Sequence, residues 1–198
     1  MPKLIAAKDR FDVHFARDYQ PPEISDWLDT ENLLPSPLQP YFLRSNTGPK
    51  WMLGGVMSRP FINASQSGGK FAISSIESSG VFGKSPLAQW LTFPTVDHCF
   101  YVAEGLLRVK VGDDDDQWNS VREGQTVVIS AGQAFMLEFQ SRYVRVISFT
   151  NGCGIEQLIQ TAGSVCSGCV LPEEPSQWDD VSIQIACKEL GVKMSTRI

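Results

Sequence analysis

Histidine is the scarcest chemically useful residue in the chain. Only two occur among 198 residues, His14 and His98, which excludes any site built on three of them. Basic side chains are also in deficit, with 17 Lys and Arg against 22 Asp and Glu. Non-specific nucleic-acid binding needs a basic surface, so no nucleic-acid partner is expected. No run of 18 apolar residues exists, so no membrane span is expected. The opening MPKLIAAKDRFDVHF is broken by charges every few residues. It does not read as a secretory signal, and a cytoplasmic protein is expected. Finally, a second CxxC is missing. The five cysteines are Cys99, Cys153, Cys166, Cys169 and Cys187, an odd count that favours reduced thiols. A zinc site would pair Cys166 and Cys169 with another such pair or with histidines. The two sit in a Gly/Ser-rich connection and read as ordinary loop cysteines, with a redox or metal role as the alternative.

What is present is enough apolar residue for a core, 42% of the chain, in a length that fits one domain. Three zones are expected. Residues 1–40 are rich in proline and acid and read as an N-terminal arm. Within it, Trp27 and Leu33-Leu34 are apolar enough to reach a partner. Residues 41–160 read as a β-barrel. Residues 161–198 read as a linker and a C-terminal helix packing on the barrel.

The middle zone carries short β-rich runs separated by Gly, Pro, Asn or Asp. They are residues 51–57, 70–77, 88–93, 98–102, 106–111, 126–130, 135–139 and 143–149. Several alternate with the period of a strand, as in Leu107, Val109 and Val111 against Arg108 and Lys110. Many short strands with turns between them point to an all-β sandwich or barrel. The run Asp113 to Asp116 reads as a solvated hairpin tip. A calcium site is the sharper alternative, although the EF-hand spacing is missing. Near the end, Ser176 is expected to cap a helix running to Leu190, with Trp178, Val181, Ile185 and Ala186 on one face.

Two motifs give the middle zone a family likeness. His98-Cys-Phe-Tyr-Val-Ala-Glu-Gly105 is similar to the FYVLEG-type stretch that ends the first cupin motif. Gly124-Gln-Thr-Val-Val-Ile-Ser-Ala-Gly132 resembles the GDxxxxPAG-like run of the second. Upstream, Gly48-Pro-Lys-Trp-Met-Leu-Gly-Gly55, Arg59-Pro60 and Phe71-Ala-Ile-Ser-Ser-Ile-Glu77 resemble the fungal quercetin 2,3-dioxygenase-like subgroup. The resemblance spans about residues 41–160. It implies a cupin double-stranded β-helix, that is, a jelly-roll barrel.

The family's metal site uses H-x-H, a Glu and a second-motif His. Carried over one position at a time, the Glu falls on His98. The paired histidines fall near Leu91 and Phe93, and the last histidine falls on Phe135. An imidazole/carboxylate site needs three or more converging donors, so no metal and no cofactor are expected. A hidden site borrowing His14 and Glu77 is the alternative. The same positions imply an apolar, aromatic cavity lined by Gln89, Leu91, Phe93, Phe100, Phe135, Leu137 and Val146. Alternation from Phe71 brings Ser75 and Glu77 inward at the barrel mouth.

His98 is then the candidate general acid/base, with Glu77 as its partner. The bland alternatives are a satisfied core histidine and a rim ion pair of Glu77 with Arg59 or Arg142. Three functions follow from the resemblance. The first is a metal-independent enzyme of secondary metabolism. It would isomerise, cyclise or eliminate on an apolar aromatic or polyketide-like small molecule. The second is a metal-dependent, quercetinase-like dioxygenase. The third is a non-catalytic ligand-binding module. A homodimer is expected as well, covering a sheet face that two-domain relatives bury.

Overall fold

The computed structural model describes residues 33–34, 41, 43, 46–112, 117–168 and 170–195. His14, Trp27, the rest of the expected arm apart from Leu33 and Leu34, the Asp113–Asp116 run and Cys169 lie outside them. Among the described residues no helix is long and apolar enough to cross a membrane.

The strands in chain order are β1 (Trp51–Leu53), β2 (Val56–Ile62), β3 (Ala72–Ser78), β4 (Trp90–Thr92), β5 (His98–Glu104) and β6 (Leu106–Val111). They continue as β7 (Asn119–Arg122), β8 (Thr126–Ile129), β9 (Ala134–Phe139) and β10 (Val144–Thr150). Helix α1 (Ile155–Ala162), β11 (Ser164–Val165), helix α2 (Asp180–Glu189) and β12 (Lys193–Ser195) complete the chain. One sheet runs β11-β1-β2-β3-β10-β5-β8 and the other β12-β4-β9-β6-β7. All pairings are antiparallel. The eight strands β3 to β10 divide alternately into β3-β10-β5-β8 and β4-β9-β6-β7. That order is the double-sheet jelly roll that cupins use, as the motifs implied.

Turn chemistry sets the strand ends. Gly105 sits at φ +83° between β5 and β6, where a Cβ would collide with the Tyr143 carbonyl. Only glycine fits both the positive φ and the close approach. The expected single run over 51–57 is two strands, because Gly54 at φ +59° and Gly55 turn the chain. Trp178 closes over Gly54 and Phe82 over Gly55. The Ser176 backbone N–H and hydroxyl both donate to the Gly54 carbonyl, at 3.0 and 2.8 Å.

The C-terminal zone is woven into the barrel more than expected. β11 extends the first sheet beside β1, and β12 extends the second beside β4. Helix α1 packs Ile155, Leu158 and Ile159 into the same core as Leu53, Val56 and Ile76. Helix α2 starts later than expected. Its cap is Asp179, whose carboxylate accepts the Ser182 N–H at 2.7 Å, rather than Ser176. Its inward face is Ile183, Ala186 and Cys187. Val181 and Ile185 are exposed, and Trp178 precedes the helix. Ser176 is used elsewhere, on the β1–β2 turn, and the core takes the face of Ile183, Ala186 and Cys187.

Candidate functional site: the inner face of the large sheet

Side chains directly opposite on antiparallel strands share a face. Ile76, Val146 and Val102 form one row across β3, β10 and β5. Ser74, Ser148 and Phe100 form the next, and Ala72, Thr150, His98 and Ile129 a third. Ile76, Val102, Phe100, Val146 and Ile129 all belong to the core, so this face looks inward. From the facing sheet come Leu91 and Phe135, which are paired, and Leu137. Phe93 follows β4.

His98 stands in an aromatic cage. Its ring centroid is 4.5 Å from Phe93 in an edge-on arrangement, 5.1 Å from Phe135 and 5.6 Å from Phe100. Phe93 and Phe135 stack at 5.9 Å. The site is closed, for His98 is 1% exposed and the three phenylalanines no more than 2%. Burial pushes the imidazole pKa down to about 4. The Val96 carbonyl and the Asp97 carboxylate pull the other way and lose. The ring is therefore neutral near pH 7. Neither His98 nitrogen has a hydrogen-bond partner of good geometry. Asp97 points away, accepting from the Ala131 N–H at 2.8 Å and the Asn151 amide at 2.6 Å.

Three hydroxyls on the same face are in the same state. The Oγ atoms of Ser58, Ser74 and Ser148 are buried without partners. Ser58 lies opposite Ile76 on β2, diagonal to Ser74. Thr150, across from His98, donates to the Gly152 carbonyl at 3.0 Å. At the start of α1, Glu156 accepts the Gly154 N–H at 2.8 Å, while its second oxygen is unpartnered. Burial pushes the Glu156 carboxyl up.

Phe93, Phe100 and Phe135 thus surround His98, and Leu91, Leu137 and Val146 belong to the same buried core. Gln89 does not. Its amide donates to Asp180 on α2 at 3.1 Å, so it is committed to the helix seam.

Ser75 and Glu77 require a correction: both are on the outer face. Ser75 pairs with Arg59 and Ile147, and Glu77 with Met57 and Arg145. Phe71, from which the inward parity was counted, is 42% exposed, and Ala72 and Ile76 are the inward apolar residues. Glu77 therefore cannot partner His98. The ion pairs expected of it do not form either. Ser75 Oγ donates to one of its oxygens at 2.9 Å and Tyr143 OH to the other at 2.8 Å.

The ligand positions do not fit a first-row metal. Leu91, Phe93 and Phe135 offer no donor atom, and Glu77 lies across the sheet from His98. Among the described residues no three His, Cys, Asp or Glu side chains converge. The residues missed in the sequence are Ser58 and Ser74 on the inner face and Arg145 and Tyr143 on the outer. Strand parity counted from Ile76 would have found Ser74.

No protein-family model matches the chain, and no curated protein matches it. Solved structures of similar shape include the EutQ protein of Clostridium difficile, at 18% identity and TM-score 0.38, over 49% of this chain and 68% of that one. KdgF from Halomonas sp. aligns at 10% identity and TM-score 0.40, over 52% of this chain and 86% of its own. The cupin domain of Schizosaccharomyces pombe Cnp3 aligns at 10% identity and TM-score 0.39, over 49% and 64%. Likenesses of this depth concern the fold alone, and the jelly roll itself rests on the strand order.

Proposed function

We propose that the barrel interior is a metal-free site for a small, neutral, ring-bearing metabolite of the aromatic or polyketide-like kind. The observation that carries this is the set of unpartnered polar atoms: His98 Nδ1 and Nε2 with the Oγ atoms of Ser58, Ser74 and Ser148. Each buried group left without a partner costs about 1–3 kcal/mol. An occupant that hydrogen-bonds to them offsets that cost. The phenylalanines around His98 supply flat walls for a ring. The neutral imidazole can donate through one nitrogen and accept through the other.

Acid/base turnover is the second reading. What favours it is that His98 holds its free-base form at neutral pH, with neither nitrogen in a hydrogen bond of good geometry. A base so weak is less suited to proton abstraction than to hydrogen bonding, because the best catalytic pKa lies near the operating pH. Binding therefore comes first.

Phenol is a suitable probe, having one ring and one hydroxyl. The expected result is saturable binding with NMR contacts from its protons to Phe100 and Phe135, lost in His98→Phe. Contacts only to surface residues would overturn the site. Acetophenone separates the two readings. His98-dependent deuterium exchange at its methyl group, insensitive to chelator, establishes turnover. Binding without exchange leaves a ligand-binding module.

A further inference from the structure

The outer face of the same sheet holds two arginines that form no ion pair among the described residues. Arg59 on β2 lies opposite Ser75, and Arg145 on β10 lies opposite Glu77. Arg145 is directly opposite Glu77 and Arg59 is diagonal to it, so the two flank one carboxylate from the neighbouring strands, the arrangement in which an ion pair is expected. It does not form. Both Glu77 oxygens are taken by hydroxyls, those of Ser75 and Tyr143. Among the described residues, no acidic side chain is within ion-pair distance of either guanidinium.

Arg59 is 7% exposed. One of its terminal nitrogens donates to the Thr47 carbonyl at 3.3 Å, and its fork lies 4.8 Å over the Phe61 ring. Its Nε has no partner, and neither has the buried Nε of Arg145. Burial pushes the Arg59 pKa down, and the Arg145 charge adds to that. Glu77 and Tyr143 oppose it. Glu104 is the other acid on this face, opposite Arg145 on β5. It is exposed, so water screens it, and it stays outside ion-pair distance.

We propose that this face carries an anion-binding site in which Arg59 and Arg145 take up the carboxylate or phosphate group of a small molecule. A buried guanidinium without a counter-ion costs several kcal/mol. Its planar fork matches both anions in bidentate geometry. Glu77 holds the neighbouring hydroxyls in place rather than neutralising the pair. Tyr143, half-buried at the edge, keeps its proton, because burial and the adjacent carboxylate raise its pKa. Its hydroxyl is committed to Glu77 and does not compete for the anion. This site is independent of the one inside the barrel, which presents no charge.

The test uses the full chain, with NMR of the arginine Nε–H signals during titration with inorganic phosphate and, separately, acetate. The expected result is a saturable shift of the Arg59 and Arg145 signals with millimolar affinity for at least one anion. Chloride at equal ionic strength should have little effect. Arg145→Gln should abolish the shift at Arg59. Arg145→Lys, which keeps the charge and loses the fork, should weaken binding by about tenfold, a change of about 1.4 kcal/mol. Melting curves report whether each variant folds. Signals unmoved by both anions overturn the proposal, as does an Arg59 shift that survives in folded Arg145→Gln. An acid of the chain's own already seated on the pair would show as unmoved signals and counts against a small-molecule site.

Discussion

The two faces of the sheet formed by β2, β3, β10 and β5 are made from alternate residues of the same strands, and both are largely buried. Ser74 and Ser75 are neighbours in sequence and equally inaccessible, yet they live in different chemistries. The inner face has neutral polar atoms without partners among phenylalanines. The outer face has a carboxylate with both oxygens satisfied and two cations without a counter-ion among the described residues. Burial alone does not distinguish these faces, whereas hydrogen-bond satisfaction does. Each face is incomplete in its own way, one short of a hydrogen-bonding partner and the other short of negative charge.

The largest expected effect comes from breaking the outer network. Glu77→Ala strips Ser75 and Tyr143 of their acceptor and removes the negative charge nearest Arg59. A loss of about 3 kcal/mol is expected in urea denaturation. A loss under about 1 kcal/mol would mean that the two faces are equally indifferent to their polar groups.

The inner face should answer to pH. The unfolded ring takes up a proton as pH falls through 6.5, and the folded ring only near 4. Between these values the unfolded state binds more protons, so stability falls as the solution is acidified, by about 3 kcal/mol across the window. His98→Phe should flatten this slope relative to the parent protein. Equal slopes would place His98 outside the closed cage.

The smallest effect is the most discriminating. The double variant Ser74→Ala with Ser148→Ala removes two unpartnered hydroxyls. Without ligand it should gain about 1 kcal/mol, because the penalty for each lone polar group disappears. A loss would mean that these hydroxyls already have partners, and the contrast between the faces would fail.

Much of this fold is legible in the sequence, for reasons that differ by strand. On β5, His98, Phe100 and Val102 alternate with half-exposed or exposed Cys99 and Tyr101, and Gly105 ends the strand. The parity there is unmistakable. On β3 the sequence Ala-Ile-Ser-Ser-Ile-Glu-Ser has apolar residues in both registers, and serine suits either side. A one-residue slip moves every side chain across the sheet, and so Ser75 and Glu77 were misplaced. β7 is a polar edge strand with one buried residue, Val121, and carries almost no periodic signal. α1 is hidden by the glycines at both its ends. Gly154 and Gly163 suggest an irregular stretch, yet each is required by close packing, against Thr150 and the Met52 carbonyl respectively. The site followed the same pattern. The residues around His98 could be placed from strongly apolar strands, whereas the arginine pair depended on the ambiguous one.

The clasp on the Gly54-Gly55 turn also governs when the molecule can become whole. The bond from Ser176 to Gly54 spans 122 positions of the chain. β11 closes on β1 and β12 on β4 over somewhat shorter but still long stretches. During synthesis, the first hairpin therefore waits with its glycine turn uncovered until Ser176 has emerged. Contacts this distant in sequence slow folding, since loop-closure entropy is lost before they form. The β1 edge is left open to stray strand pairing throughout that interval. β11, Ser176 and β12 thus act as a timer on the earlier strands of the barrel.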